Sequence, residues 1–234
     1  MKTTRNLLAS AVAASALSLA MVPAANAEVE VAASVGVAST YLWRGYDLGS
    51  GTPAVSGDLS ASVAGFYGGV WGSSGDTAAG TEYDLYLGYG GSVGDFSYDV
   101  SVWNYIYPTK GVDSEDEEAT PQDADEGDAF ELSELVISLG YGPVSFTYMD
   151  NIAGGSGYEY YNLGVGVGAF SFAVGMHDNP DSDLPGVPAS DDPVHFDISY
   201  AYNDNLSFTV SQFISDEPLG DDAKFVVSYS MPIE

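Results

Sequence analysis

Arg44 stands in the stretch YLWRGY, residues 41–46, as one of 5 Lys plus Arg in a chain that carries 34 Asp plus Glu and a formal net charge of −29. An arginine among so many acids, set in an aromatic stretch, pairs and positions rather than breaks bonds; its natural partners are carboxylates held in a fork. Asp58, Glu82, Asp84 and Asp99 are the carboxylates expected to share its side of the fold, with Asp84 and Asp58 foremost. Two readings stay open for such a cluster. It tunes which ions or solutes pass a constriction, or it props a structure open and holds its register. His195 stands two residues from Asp197, and His177 lies on the preceding segment. A metal site or a catalytic dyad is conceivable there, but no nucleophile is placed beside it, so plain histidines at a polar rim are the better reading. Lys224 is the remaining cation expected on the same side. No G-x-S-x-G, H-E-x-x-H or phosphate-loop pattern occurs, so no catalytic residue is expected.

The elements that must position these residues are strands. Between residues 29 and 46 the odd positions Val29, Val31, Val35, Val37, Tyr41 and Trp43 are largely apolar. The even ones, Glu30, Ser34, Gly36, Thr40 and Arg44 among them, are largely small or polar. Period-two alternation of this kind marks a strand with two different environments. It recurs along the chain and gives twelve strands: 29–46, 53–62, 66–73, 81–90, 96–107, 130–140, 143–150, 158–166, 169–177, 193–202, 206–214 and 223–231. On this parity Arg44 belongs to the first strand and shares the polar face with Asp58, Glu82, Asp84, Asp99, His195, Asp197 and Lys224.

The connections alternate long and short throughout. Short ones fall near 63–65, 91–95, 141–142, 167–169 and 203–205; the longest is 108–129. In an up-and-down meander this puts all short turns at one end and all long loops at the other, the asymmetry of transmembrane barrels. The expected fold is therefore all-β: a transmembrane antiparallel up-and-down β-barrel of about twelve strands, with polar residues lining the lumen. A soluble barrel or sandwich also alternates, with its apolar face inward. Aromatics gathered toward strand ends on the apolar face favour the membrane form.

Residues 1–27 read as a secretory signal peptide: Lys2 and Arg5, an apolar run from Leu7 to Val22, then small residues at Ala25 and Ala27. Residues 28–234 then form a single barrel domain of the cell outer membrane, with Arg44, Lys110 and Lys224 its only Lys or Arg. So acidic a chain does not bind nucleic acid through charge. With Cys 0, it has no disulfide and no thiolate site. The segment 113–128, DSEDEEATPQDADEGD, carries many acids and no cation; it reads as a solvated loop, with weak binding of hard divalent cations as the sharper alternative. No other cofactor is expected. The expected partners are outer-membrane lipid, small solutes or ions, and the barrel-assembly machinery during biogenesis.

Several stretches carry a resemblance: YLWRG (41–45), PAVSG (53–57), GFYGGVWGS (65–73), EYDLYLGY (82–89) and YDVSVWNYIYP (98–108). Together they resemble the TorF-type porin family of proteobacterial outer membranes, over roughly the first half of the chain after residue 27. The resemblance implies an outer-membrane β-barrel with a passive diffusion role and supplies no catalytic residues. The chain departs from the habit of such barrels at its end, YSMPIE, where a terminal aromatic is usual. The expected function is a porin-like channel, weakly cation-preferring. The alternative is a non-conducting outer-membrane barrel with a surface or structural role.

Overall fold

A computed structural model describes residues 28–77, 79–108, 130, 132–154, 157–178, 192–215 and 222–233. The segment 1–27, most of the loop 108–129 with its acidic run 113–128, and Lys110 lie outside the described residues.

The strands are β1 (Glu30–Ala38), β2 (Leu42–Trp43), β3 (Tyr46–Asp47), β4 (Ala54–Val63), β5 (Phe66–Asp76), β6 (Gly80–Val93) and β7 (Phe96–Ile106). They continue as β8 (Leu132–Tyr141), β9 (Val144–Ala153), β10 (Glu159–Val167), β11 (Phe170–Asp178), β12 (Val194–Ala201), β13 (Leu206–Ser215) and β14 (Lys224–Ile233). Twelve of them, β1 and β4 to β14, form a closed antiparallel barrel; β2 and β3 pair only with each other. Closure falls between β1 and β14, from Ala33 opposite Ile233 to Ala38 opposite Ser228.

Five tight connections link β4–β5, β6–β7, β8–β9, β10–β11 and β12–β13, all at one end of the barrel. The first is a two-residue turn with positive φ at both Ala64 and Gly65 (52° and 87°), the primed geometry that matches the twist of paired strands. The connection between β5 and β6 is shorter than its Gly- and Ser-rich sequence suggests, because both strands run on to Asp76 and Gly80.

Side-chain polarity is inverted relative to a soluble barrel. Val31, Val35, Val55, Leu59, Val70, Leu85, Leu87, Val100, Val102, Leu163 and Val174 are exposed on the outer face. Outward aromatics ring the short-turn end: Phe66 on Tyr89 (centroids 4.7 Å apart), Phe96 on Tyr98, and Phe170 on Tyr200 (4.9 Å). Inside, the buried residues are mostly polar, among them Asp58, Ser60, Glu82, Asp84, Ser101, Glu134, Ser199, Thr209 and Ser211.

Strand reading and structure part most at the first strand. Alternation predicts a single strand over 29–46, but β1 stops at Ala38 and residues 39–53 turn into the barrel as a compact loop around the β2–β3 hairpin. Leu48 N donates to Tyr41 O (2.8 Å) and Thr52 N to Gly49 O (2.7 Å) within the loop, while Ser39 N still donates to Val227 O on β14 (2.9 Å) where the chain leaves the wall. Arg44 therefore does not face the lumen from the wall. It sits at the tip of an inserted loop.

Candidate functional site

The tip of the hairpin is the two-residue turn Arg44–Gly45 between Trp43 and Tyr46, with φ of 46° and 87°. Both central residues of such a turn need the left-handed region, which glycine takes freely and an arginine takes at a cost. The surrounding structure holds Arg44 there. Its guanidinium forks onto Glu134 of β8, with Nη1 donating to Oε1 (2.9 Å) and Nη2 to Oε2 (2.5 Å). Both side chains are nearly sealed, at 8% and 5% exposure. Tyr105 on β7 donates a second bond to Glu134 Oε2 (2.7 Å). Three rings face the guanidinium carbon: Trp43 at 4.6 Å, Tyr160 at 4.9 Å and Tyr158 at 5.4 Å. Burial disfavours the Arg44 charge, but Glu134 beside it holds the guanidinium protonated.

The histidines lock the same tip from the other side. His177 Nε2 lies 2.8 Å from the Arg44 carbonyl oxygen, which only accepts, so Nε2 carries the proton and donates. Its Nδ1 then accepts from the Tyr158 hydroxyl at 2.8 Å. His195 repeats the pattern, with Nδ1 3.0 Å from Asp197 and Nε2 2.8 Å from the Tyr160 hydroxyl. Among the described residues no group of three or more metal-binding side chains occurs. Both rings serve to seat the hairpin. Gly45 fits only because it lacks a side chain: a Cβ there would lie 2.8 Å from the His195 ring and 3.0 Å from Phe213.

The rest of the loop reaches the opposite wall. Tyr46 packs on Phe213 of β13 (centroids 4.8 Å apart), and with Trp43 and Leu48 these make a small apolar cluster inside the lumen. Tyr41 donates to Glu82 Oε2 on β6 (2.7 Å) and lies against Trp71 on β5 (6.3 Å). Burial, helped by Glu82, pushes the Tyr41 hydroxyl well above its usual range; burial alone pushes Tyr46 up to about 12. One loop thus touches β5, β6, β8, β10, β11, β12 and β13, which surround the barrel, so it must lie across the lumen. All these contacts fall at the long-loop ends of the strands.

Asp58 and Asp84, the carboxylates expected to pair with Arg44, do not meet it. Asp58 accepts from Tyr86 (2.8 Å), and Asp84 is buried beside Glu82 with its Oδ1 unpartnered among the described residues. Asp99 accepts from Tyr67 (2.8 and 2.9 Å) nearer the short-turn end. Lys224 stands at the head of β14 with its ammonium 5.2 Å from the Phe213 ring centroid and donates to Asp222 O. Sequence reasoning missed Glu134, Tyr158 and Tyr160. The cue available for Glu134 was that it is the sole acid well inside an otherwise apolar and small-residue run, 132–141.

Over residues 23–183 the chain matches the model of a bacterial protein family of unknown function, Gcw_chp, and it belongs to that family. The match names this family, and not the TorF-type porins, for the stretches between residues 41 and 108. Comparison with curated proteins returns no match. Among solved structures, the chain is similar to the outer membrane protein OprD from Pseudomonas aeruginosa in two crystal structures. In both the TM-score is 0.38 and the sequence identity 13%. The similarity covers 87% and 88% of this chain, which spans 65% and 67% of the length of those two. At that level the likeness bears on no residue of the site.

Proposed function

We propose that this member of the Gcw_chp family is an outer-membrane barrel for passive diffusion of small solutes or ions, whose passage is closed at the long-loop end by its own hairpin. The observation that carries this reading is the inverted polarity: an apolar outer wall with an aromatic girdle around a lumen lined by serines, glycines and carboxylates. Exposing that wall to water would cost about 25 cal/mol for each Å² of apolar surface, whereas lipid accepts it. Strands such as β4, β8 and β14, each of 10 residues, have the ~9–11 residues that a tilted transmembrane strand needs. Inward carboxylates at Asp58, Glu82, Asp84, Asp99, Glu134 and Asp197 outnumber the inward cations Arg44 and Lys224, which favours cations.

A non-conducting barrel is the second reading, and the hairpin lying across the lumen favours it. Membrane partition, a heat-dependent shift in gel migration and planar-bilayer current in a potassium chloride gradient test both. The diffusion reading expects partition, the shift, and current with a reversal potential on the cation side. Partition and the shift with no current under any voltage would establish the non-conducting barrel instead.

A further inference from the structure

The Arg44 side chain occupies a site that the barrel wall builds without it. Among the described residues around the guanidinium, Glu134, Tyr105, Tyr158 and Tyr160 belong to the wall or to its strand ends, and Trp43 arrives with the hairpin. The wall thus presents a carboxylate, oriented by a tyrosine hydroxyl, beneath two aromatic faces. That is the chemistry of a cation receptor: a forked acceptor matched to a planar guanidinium, and ring faces that attract its charge. The hairpin's own turn makes the choice of Arg more telling. At φ 46° Asn or Gly would fit with less strain, yet the position holds the one side chain that fills the box.

We infer that the box formed by Glu134, Tyr105, Tyr158 and Tyr160 is a binding site for small guanidinium cations, with Arg44 as its resident intramolecular occupant that such a solute displaces. This rests on the diffusion reading for its role, naming guanidinium-bearing molecules as the solutes that loosen the hairpin, but the binding itself requires no current. A free guanidinium that takes the box removes the strongest tie between hairpin and wall. Methylammonium, which cannot pair bidentately, is the poorer ligand.

The test uses full-length protein in detergent and methylguanidinium chloride at millimolar concentrations, against sodium chloride at equal ionic strength. Arg44→Asn and Arg44→Gly both suit a left-handed turn and both empty the box. Methylguanidinium should raise the unfolding midpoint of either variant in a saturable way, with an apparent Kd at least about tenfold below that for wild type, where Arg44 competes. Adding Glu134→Gln should abolish the shift. If the variants fold only when methylguanidinium is present, the result is the same in stronger form. A shift no greater than that from sodium chloride would overturn the proposal, as would failure of both variants to fold with or without the probe. Absence of current through the protein, by contrast, would remove the diffusion reading and leave a positive binding result standing.

Discussion

The two halves of the lumen are built from the same alternating strands and yet are filled differently. At the long-loop end the inward positions are large or charged: Trp71, Glu82, Asp84, Trp103, Glu134, Tyr160, His177, His195 and Phe213, nearly all in contact with the inserted loop or with its neighbours. At the short-turn end they are mostly small: Ser34, Ser60, Ser62, Gly140, Ser145, Gly164, Gly166, Ser171 and Ser207, with Tyr67 on Asp99 the main exception. A barrel of twelve strands leaves an interior that side chains must either fill or leave to water. Here one half is filled by a loop with a buried ion pair at its tip, and the other keeps the composition of a wetted wall. The difference teaches that occlusion is a property of one segment rather than of the barrel as such.

If so, the two halves should respond unequally to equivalent changes. The largest contrast is expected at the carboxylates. Glu134→Gln leaves the Arg44 guanidinium buried without its counter-charge and should cost about 3–5 kcal/mol. Asp58→Asn, which alters one bond from Tyr86, should cost only about 1 kcal/mol. Urea unfolding in detergent or lipid measures both, and equal costs would break the comparison. The next contrast is between glycines that share a left-handed backbone. Gly45→Ala drives a methyl into His195 and Phe213 at φ 87°, and should destabilise by about 2–3 kcal/mol while releasing the hairpin. Gly168→Ala, at φ 65° with nothing within 4 Å of the added carbon, should cost about 1 kcal/mol. Hydrogen exchange across 39–53 should rise in the first variant only. The smallest effect belongs to Asp99→Asn near the short-turn end. Stability should change by no more than about 0.5–1 kcal/mol, and the reversal potential should move slightly toward anions. A large loss of stability there would mean that the short-turn half is as tightly packed as the other.

Most of the barrel was legible because period-two alternation and tight glycine turns act locally. Leu85, Leu87 and Tyr89 against Asp84, Tyr86 and Gly88 state their two faces without help from any distant residue. The inserted loop was illegible by the same rule. Ser39, Tyr41 and Trp43 continue the odd-numbered apolar face of β1, so a strand reading runs straight through the point where the chain leaves the wall. The cue against it was Arg44–Gly45 flanked by Trp43 and Tyr46, a two-residue hairpin signal spelled with an unusual first residue. The pair on Glu134 lies 90 residues away, and its strand 132–141 alternates less cleanly than most, so alternation did not join the two and the lone acid in that run was the remaining cue. His195 and Asp197, two apart on one strand face, were the part of the site that spacing alone could bring together.

Replacing residues 40–52 with a short Gly–Ser linker and recording single-channel current in a planar bilayer tests the occlusion most directly. The wild-type protein should rest at low conductance and the replaced variant should conduct several-fold more, still with cation preference. The same low conductance in both proteins, with the variant still partitioning and heat-shifting as a folded barrel, would contradict it.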